Sequence, residues 1–140
     1  MIKIRVPATS ANLGPGFDCM GLALNIWNEV SFEPADKLSY HATGEGAEQL
    51  NTGTHLPWRT GLGKNILTKA FALIYEICGK PMRGAKISTH SEILMSSGLG
   101  SSAAAIVAGL VGANEMLGKP LSLKELVNLA NHIEGHPDNI

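Results

Sequence analysis

The spacing of apolar and polar positions divides the chain into short strands and a few helices. Ile2 to Val6 alternates with a period of two and predicts a strand, which Pro7 ends. Gly21 to Phe32 predicts a second strand, long and bent; Leu38 to Thr43 predicts a third, and Ala85 to Ile93 a fourth. Between Asn65 and Cys78 the apolar residues fall at 66, 67, 70, 71, 73, 74 and 77, the period of a helix. Asn65 is its N-cap, and Gly79 and Pro81 stop it. Ala103 to Ala113 is apolar on all sides and predicts a buried helix, with Glu115 as its one charge. Ser122 and Glu125 have the capping-box spacing ahead of a last helix, whose inner face is Leu126, Val127, Leu129, Ala130 and Ile133. Gly44 to Lys64 has neither period and reads as a long loop with a short helix at Ala47 to Leu50. The elements together predict an α+β fold of two layers, a mostly antiparallel sheet with helices on one face.

The chemistry concentrates where the fourth strand meets the buried helix. Ser96 to Ser102 reads SSGLGSS. Glycines let a backbone approach a ligand closely, and serines cap helix starts. The first-turn N–H groups and the helix dipole favour an anion there, so the stretch reads as a phosphate cradle. The same pattern also fits a plain glycine turn into a core helix. A membrane span is excluded, because the apolar run from Ala103 to Ala113 falls short of the ~20 residues a bilayer needs. The tempting Gly61-Leu62-Gly63-Lys64 fails as a Walker loop, since Trp58 and Asn65 occupy positions that need glycine and Ser or Thr.

Composition narrows the classes. The chain has 140 residues, 44% hydrophobic and 16% charged, which suits one globular domain or part of one. A net charge of −1 gives no broad basic face for nucleic acid. The start, MIKIRVPATS, has no secretory h-region. Cys19 and Cys78 are too few for a disulfide framework and read as buried, reduced thiols of a cytoplasmic protein. His132, Glu134 and His136 do not match the zinc-protease spacing, and Gly135 with Pro137 breaks the helix that would carry it. Trp27 and Trp58 both read as packing residues, with a place at the edge of a ligand site as the alternative for Trp58.

Three stretches taken together are more specific: Val6 to Leu24 (VPATSANLGPGFDCMGLAL), Ser96 to Leu110 (SSGLGSSAAAIVAGL) and Glu134 to Asn139 (EGHPDN). With these the chain resembles the homoserine kinases of the GHMP small-molecule kinase superfamily, which also holds galactokinase and mevalonate kinase. The resemblance runs over residues 1–140 and implies an amino-terminal ATP-binding domain. The chain closes on a polar turn, so a truncated domain is expected. It would lack a carboxy-terminal domain with a second glycine motif and a substrate-binding arginine, and would be inactive alone.

The resemblance implies roles residue by residue. ATP is held by Asn65, beside the adenine, and by Leu94, Met95, Ser96, Ser97, Gly98, Leu99, Gly100, Ser101, Ser102, Ala103 and Ala104. Mg²⁺ is held by Ser102 and Glu134. L-Homoserine is held by Asn12, Asp18, Asp138 and Asn139, with Asp138 as the one candidate general base beside Asn139. Thr9 stands where mevalonate kinases carry a lysine. Leu94 replaces a usual proline, which implies a looser loop entry. The implied activity is ATP-dependent phosphorylation of the homoserine hydroxyl, a step of threonine biosynthesis. The implied partners are small molecules, with neither nucleic acid nor membrane, and a homodimer is left open. A sister kinase for another small alcohol and a non-catalytic fragment are the alternatives. From the residues alone, Asn12, Asp18 and Glu134 are equally good turn or helix-end residues.

Overall fold

In a computed structural model the described residues are 1–17, 19–51, 65–82 and 84–140, Pro137 by its backbone only. Strands β1 (Ile2–Ala11), β2 (Gly21–Pro34), β3 (Ser39–Gly44) and β4 (Ala85–Ser91) form one sheet in the order β1-β2-β4-β3. The pairs β1–β2 and β2–β4 are antiparallel, and β3–β4 is parallel. The parallel pair follows from the crossover through α1 (Ala47–Leu50) and α2 (Ile66–Ile77). Helices α3 (Ser101–Met116) and α4 (Leu123–Glu134) follow, then a 3₁₀ turn, Pro137–Asn139. The two-layer, mostly antiparallel α+β arrangement is the one expected.

The core lies between the sheet and the helices α2 and α3. Val30, Phe32, Tyr40 and Ile87 face it from the strands, and Leu67, Phe71, Ile74, Ile106 and Leu110 from the helices. Phe32 and Phe71 stack with centroids 5.4 Å apart. Phe32 lies against Gly112, where any Cβ would strike its ring. Gly109 similarly admits the Leu67 carbonyl, so α2 and α3 approach closely. Helix α3 is buried along most of its length, from Ala103 to Asn114. Asn114 holds the chain beyond the helix, donating to the Leu121 carbonyl and accepting from its N–H, each at 3.0 Å.

Three expectations change. Pro7 does not end β1, which continues to Ala11 after a register irregularity between Pro7 and Ala8. The strand is at the sheet edge, where a residue without an N–H is tolerated. Val127 is 42% exposed, because the inner face of α4 is set by Leu126 and Ala130. Cys19 is exposed and Cys78 half-buried, so the expectation of two buried thiols fails; Cys19 belongs to a surface turn. Caps behave as the sequence predicts elsewhere: Asn65 accepts from Leu67 and Thr68 N–H, and Ser122 with Glu125 forms a complete capping box. Trp27 packs under the Arg5 guanidinium, 4.2 Å from the ring centroid.

Candidate active site

The chain leaves β4 through Ile93, which is buried with Ala8 and Ala104 in a small second core. This cluster anchors the loop from Leu94 to Gly100 from behind. Within the loop Ser96, Gly98 and Gly100 have φ of 59°, 75° and 69°. Left-handed residues alternating with ordinary ones are the backbone that turns N–H groups to one side, as an anion nest does. The Ser97 hydroxyl donates to the Leu94 carbonyl at 2.7 Å and closes the loop entry. The Thr9 N–H of β1 donates to the Leu99 carbonyl at 3.1 Å and pins the loop's far end. A Cβ at Gly98 would meet nothing within 4 Å, so the loop faces open space there.

The start of α3 corrects the expected serine cap. Its N-cap is Gly100, in the left-handed region, with no side-chain cap hydrogen bond. The first bond of the helix is Ala104 N–H to the Gly100 carbonyl, 2.9 Å. First-turn N–H groups have no intrahelical partner. Here no side chain caps them, and the Ser102 hydroxyl donates to Glu134 Oε2 at 2.8 Å.

In front of the loop is a cavity of about 520 Å³. Met95 to Gly98 and Gly100 to Ser102 line it, together with Glu134 and Asn65. Leu94 lies outside this lining and is exposed, Leu99 and Ala104 pack in the cluster behind the loop, and Ala103 is buried. Asn65 Oδ1 is used by the helix cap, and its buried Nδ2 stands near the Tyr40 hydroxyl without a hydrogen bond of good geometry. A ring nitrogen of a base is the kind of acceptor that donor lacks. Beside it, burial pushes the Tyr40 hydroxyl above its ordinary value, and the neighbouring Asn65 and Thr89 side chains partly offset this. Tyr40, Asn28 and Thr89 also line the cavity, and sequence reasoning missed them. Their signal was present: all three are polar-capable residues at inward strand positions, and Thr89 donates to Asn28 Oδ1 at 2.8 Å.

A second cavity, about 680 Å³, lies across the 3₁₀ turn. Asn12, Phe17, Cys19, Met20, His136 and Asp138 line it. Phe17, Cys19, Met20 and His136 were not predicted as site residues. The adjacent residues Asp138 and Asn139 divide between the two cavities, Asp138 lining this one and Asn139 the first. Among the described residues, hydrogen bonds between side chains join the three sequence stretches. Asn12 Nδ2 donates to Asp138 Oδ2 at 2.9 Å, Thr9 Oγ1 to Asn139 Oδ1 at 3.0 Å, and Ser102 Oγ to Glu134 Oε2 at 2.8 Å. Asp18 and Trp58, and the stretch 61–64, lie outside the described residues.

Residues 65–140 match the family described as GHMP kinases, N-terminal domain. The chain belongs to the GHMP kinases. The homoserine kinase of Carboxydothermus hydrogenoformans is 45% identical over 141 residues, which cover 100% of this chain and 43% of that protein. The crystal structure of homoserine kinase from Cytophaga hutchinsonii superposes with a TM-score of 0.76 at 33% identity, over 99% of this chain and 44% of that one. Mevalonate kinase from Methanococcus jannaschii shares the fold, with a TM-score of 0.75 at 18% identity over 95% of this chain and 45% of that one. The chain thus spans less than half the length of the homoserine kinases it matches. In this GHMP kinase domain no helix among the described residues is long and apolar enough to cross a membrane.

Proposed function

We propose that the chain is the ATP-binding, amino-terminal part of a kinase that phosphorylates the hydroxyl of L-homoserine. The observation that carries the reading is the junction of two cavities at Asp138 and Asn139, with the glycine loop on one side. Phosphoryl transfer requires an acceptor hydroxyl in line with a held triphosphate, and little covalent work from the protein. The loop amides offer donors to the phosphates, and the buried Asn65 amide offers one to the adenine. The second cavity combines the Asp138 carboxylate with the Asn12 amide, and the Asn139 amide adjoins from the first; these groups are suited to an ammonium and to a hydroxyl or carboxylate.

Ser102 and Glu134 would hold Mg²⁺. Their hydrogen bond brings two hard oxygens together, and Mg²⁺ takes one or two such protein ligands beside substrate phosphates and water. The ion, when bound, neutralises charge on the phosphates. In the transfer the homoserine oxygen bonds to the γ-phosphorus as the bond to the β-phosphate oxygen breaks. ADP leaves, and the hydroxyl proton passes to Asp138 or to water. The product is O-phospho-L-homoserine, the precursor for threonine, made in the cytoplasm.

The test is ADP release by the complete protein. Release that requires L-homoserine supports the reading. Release that instead requires mevalonate or another alcohol, or no release at all, contradicts it.

A further inference from the structure

We infer that Thr9 is a positioning residue that fixes Asn139 against the start of α3 and so sets the distance between donor and acceptor. The inference deepens the phosphoryl-transfer reading above and rests on it for its kinetic consequence. Thr9 follows the register irregularity at Pro7/Ala8 on β1. Such irregularities re-aim side chains, and here Ala8 is fully buried beneath the loop while Thr9 meets the loop's end.

Thr9 meets the end of the loop, the start of α3 and Asn139. Its N–H donates to the Leu99 carbonyl. Its hydroxyl lies so close to Gly100 that a Cβ there would strike Oγ1. The same hydroxyl donates to Asn139 Oδ1 at 3.0 Å, with the Asn139 carbonyl at 3.3 Å as a second acceptor. With Oδ1 taken by Thr9, Asn139 is left to present its Nδ2 donor to the cavity it lines. That cavity is where a transferring phosphoryl group carries negative charge. Three residues later Asn12 grips Asp138, so one strand end holds both members of the turn. Thr9 touches neither reactant in this arrangement; it acts through Asn139 and Gly100.

The test compares Thr9→Val, which keeps the shape and loses the hydroxyl, with Thr9→Ser, which keeps it, in the complete protein. Misplacement of about 1 Å costs on the order of 100-fold in rate, so Thr9→Val is expected to lower kcat about 10- to 100-fold. The dissociation constant of a non-hydrolysable ATP analogue should stay within about threefold, and Thr9→Ser should recover most of kcat. An unchanged kcat in Thr9→Val, a Thr9→Ser no better than Thr9→Val, or a loss confined to nucleotide affinity would overturn the inference. A second readout needs no acceptor. The Asn139 side-chain amide should give one sharp pair of resonances in the wild type and Thr9→Ser, and a shifted or broadened pair in Thr9→Val. An unaltered Asn139 amide in Thr9→Val sinks the inference whatever the acceptor is. Absence of homoserine-dependent ADP release by the wild type counts against the functional reading instead, and the amide readout then decides this one.

Discussion

Gly100 joins backbone strain to the site. Its φ is 69°, and a Cβ would meet the Thr9 hydroxyl and approach Asn139 Oδ1 at 3.4 Å. A residue forced into that region costs about 1–3 kcal/mol. Gly100→Ala is therefore expected to lower the melting midpoint by several degrees and to weaken binding of an ATP analogue; calorimetry of melting and binding checks both. Gly98 differs, because open space lies in front of it, so its substitution strains the backbone without a clash. Glu134 carries the charge of its pair with Ser102. Glu134→Gln keeps an acceptor for the Ser102 hydroxyl and removes the charge. Loss of groups that merely support a metal site costs about 10- to 100-fold in affinity, so a direct ligand should cost at least that. The expected result is a loss of Mg²⁺-dependent, but not Mg²⁺-independent, nucleotide binding; equal losses with and without the ion would contradict the assignment.

The elements place these residues, and their stability can be tested separately. Gly112 lets Phe32 lie against α3, and overpacking a filled core costs about 1–3 kcal/mol. Gly112→Val should reduce stability by that order in denaturant titration, and a neutral result would mean that the helix can shift away from the sheet. The capping box of α4 gives a pH signature. The Ser122 side chain, then its backbone N–H, holds the Glu125 carboxyl below its ordinary 4.5. A lowered folded value favours the ionised form, so this contribution is complete above 4.5 and fades as pH falls through the folded value. Removing the cap with Ser122→Ala should cost about 1 kcal/mol at neutral pH and make acid stability less steep below 4.5. Melting curves against pH would show it. Much of this level is written in local chemistry: Asn65 and Ser122 cap the helices they precede because their side chains reach two and three residues ahead. What local reading misses is partnership. Pro7 looks like a stop until β1 is known to be an edge, and Val127 looks inward until α4 is seen to turn Leu126 and Ala130 to the core. Asn28 and Thr89 look like interruptions in apolar strands until the pairing of β2 with β4 sets them diagonally across from each other, where they share a hydrogen bond and line the cavity.

For the whole molecule, stretches far apart in sequence converge. Thr9 and Asn139 are 130 positions apart and share a hydrogen bond. No periodicity foretells such a meeting, and only resemblance to a kinase family suggested it. The convergence places two hollows, of about 520 and 680 Å³, on either side of a single 3₁₀ turn. That geometry is the core of the functional claim, and a crystal of the complete protein with L-homoserine and a non-hydrolysable ATP analogue tests it most directly. The account predicts the triphosphate against the backbone amides of residues 98–102, the amino acid in the hollow beside Asn12 and Asp138, and its hydroxyl beside Asn139 facing the γ-phosphate. A nucleotide bound away from the glycine loop, or an amino acid outside that second hollow, would contradict it.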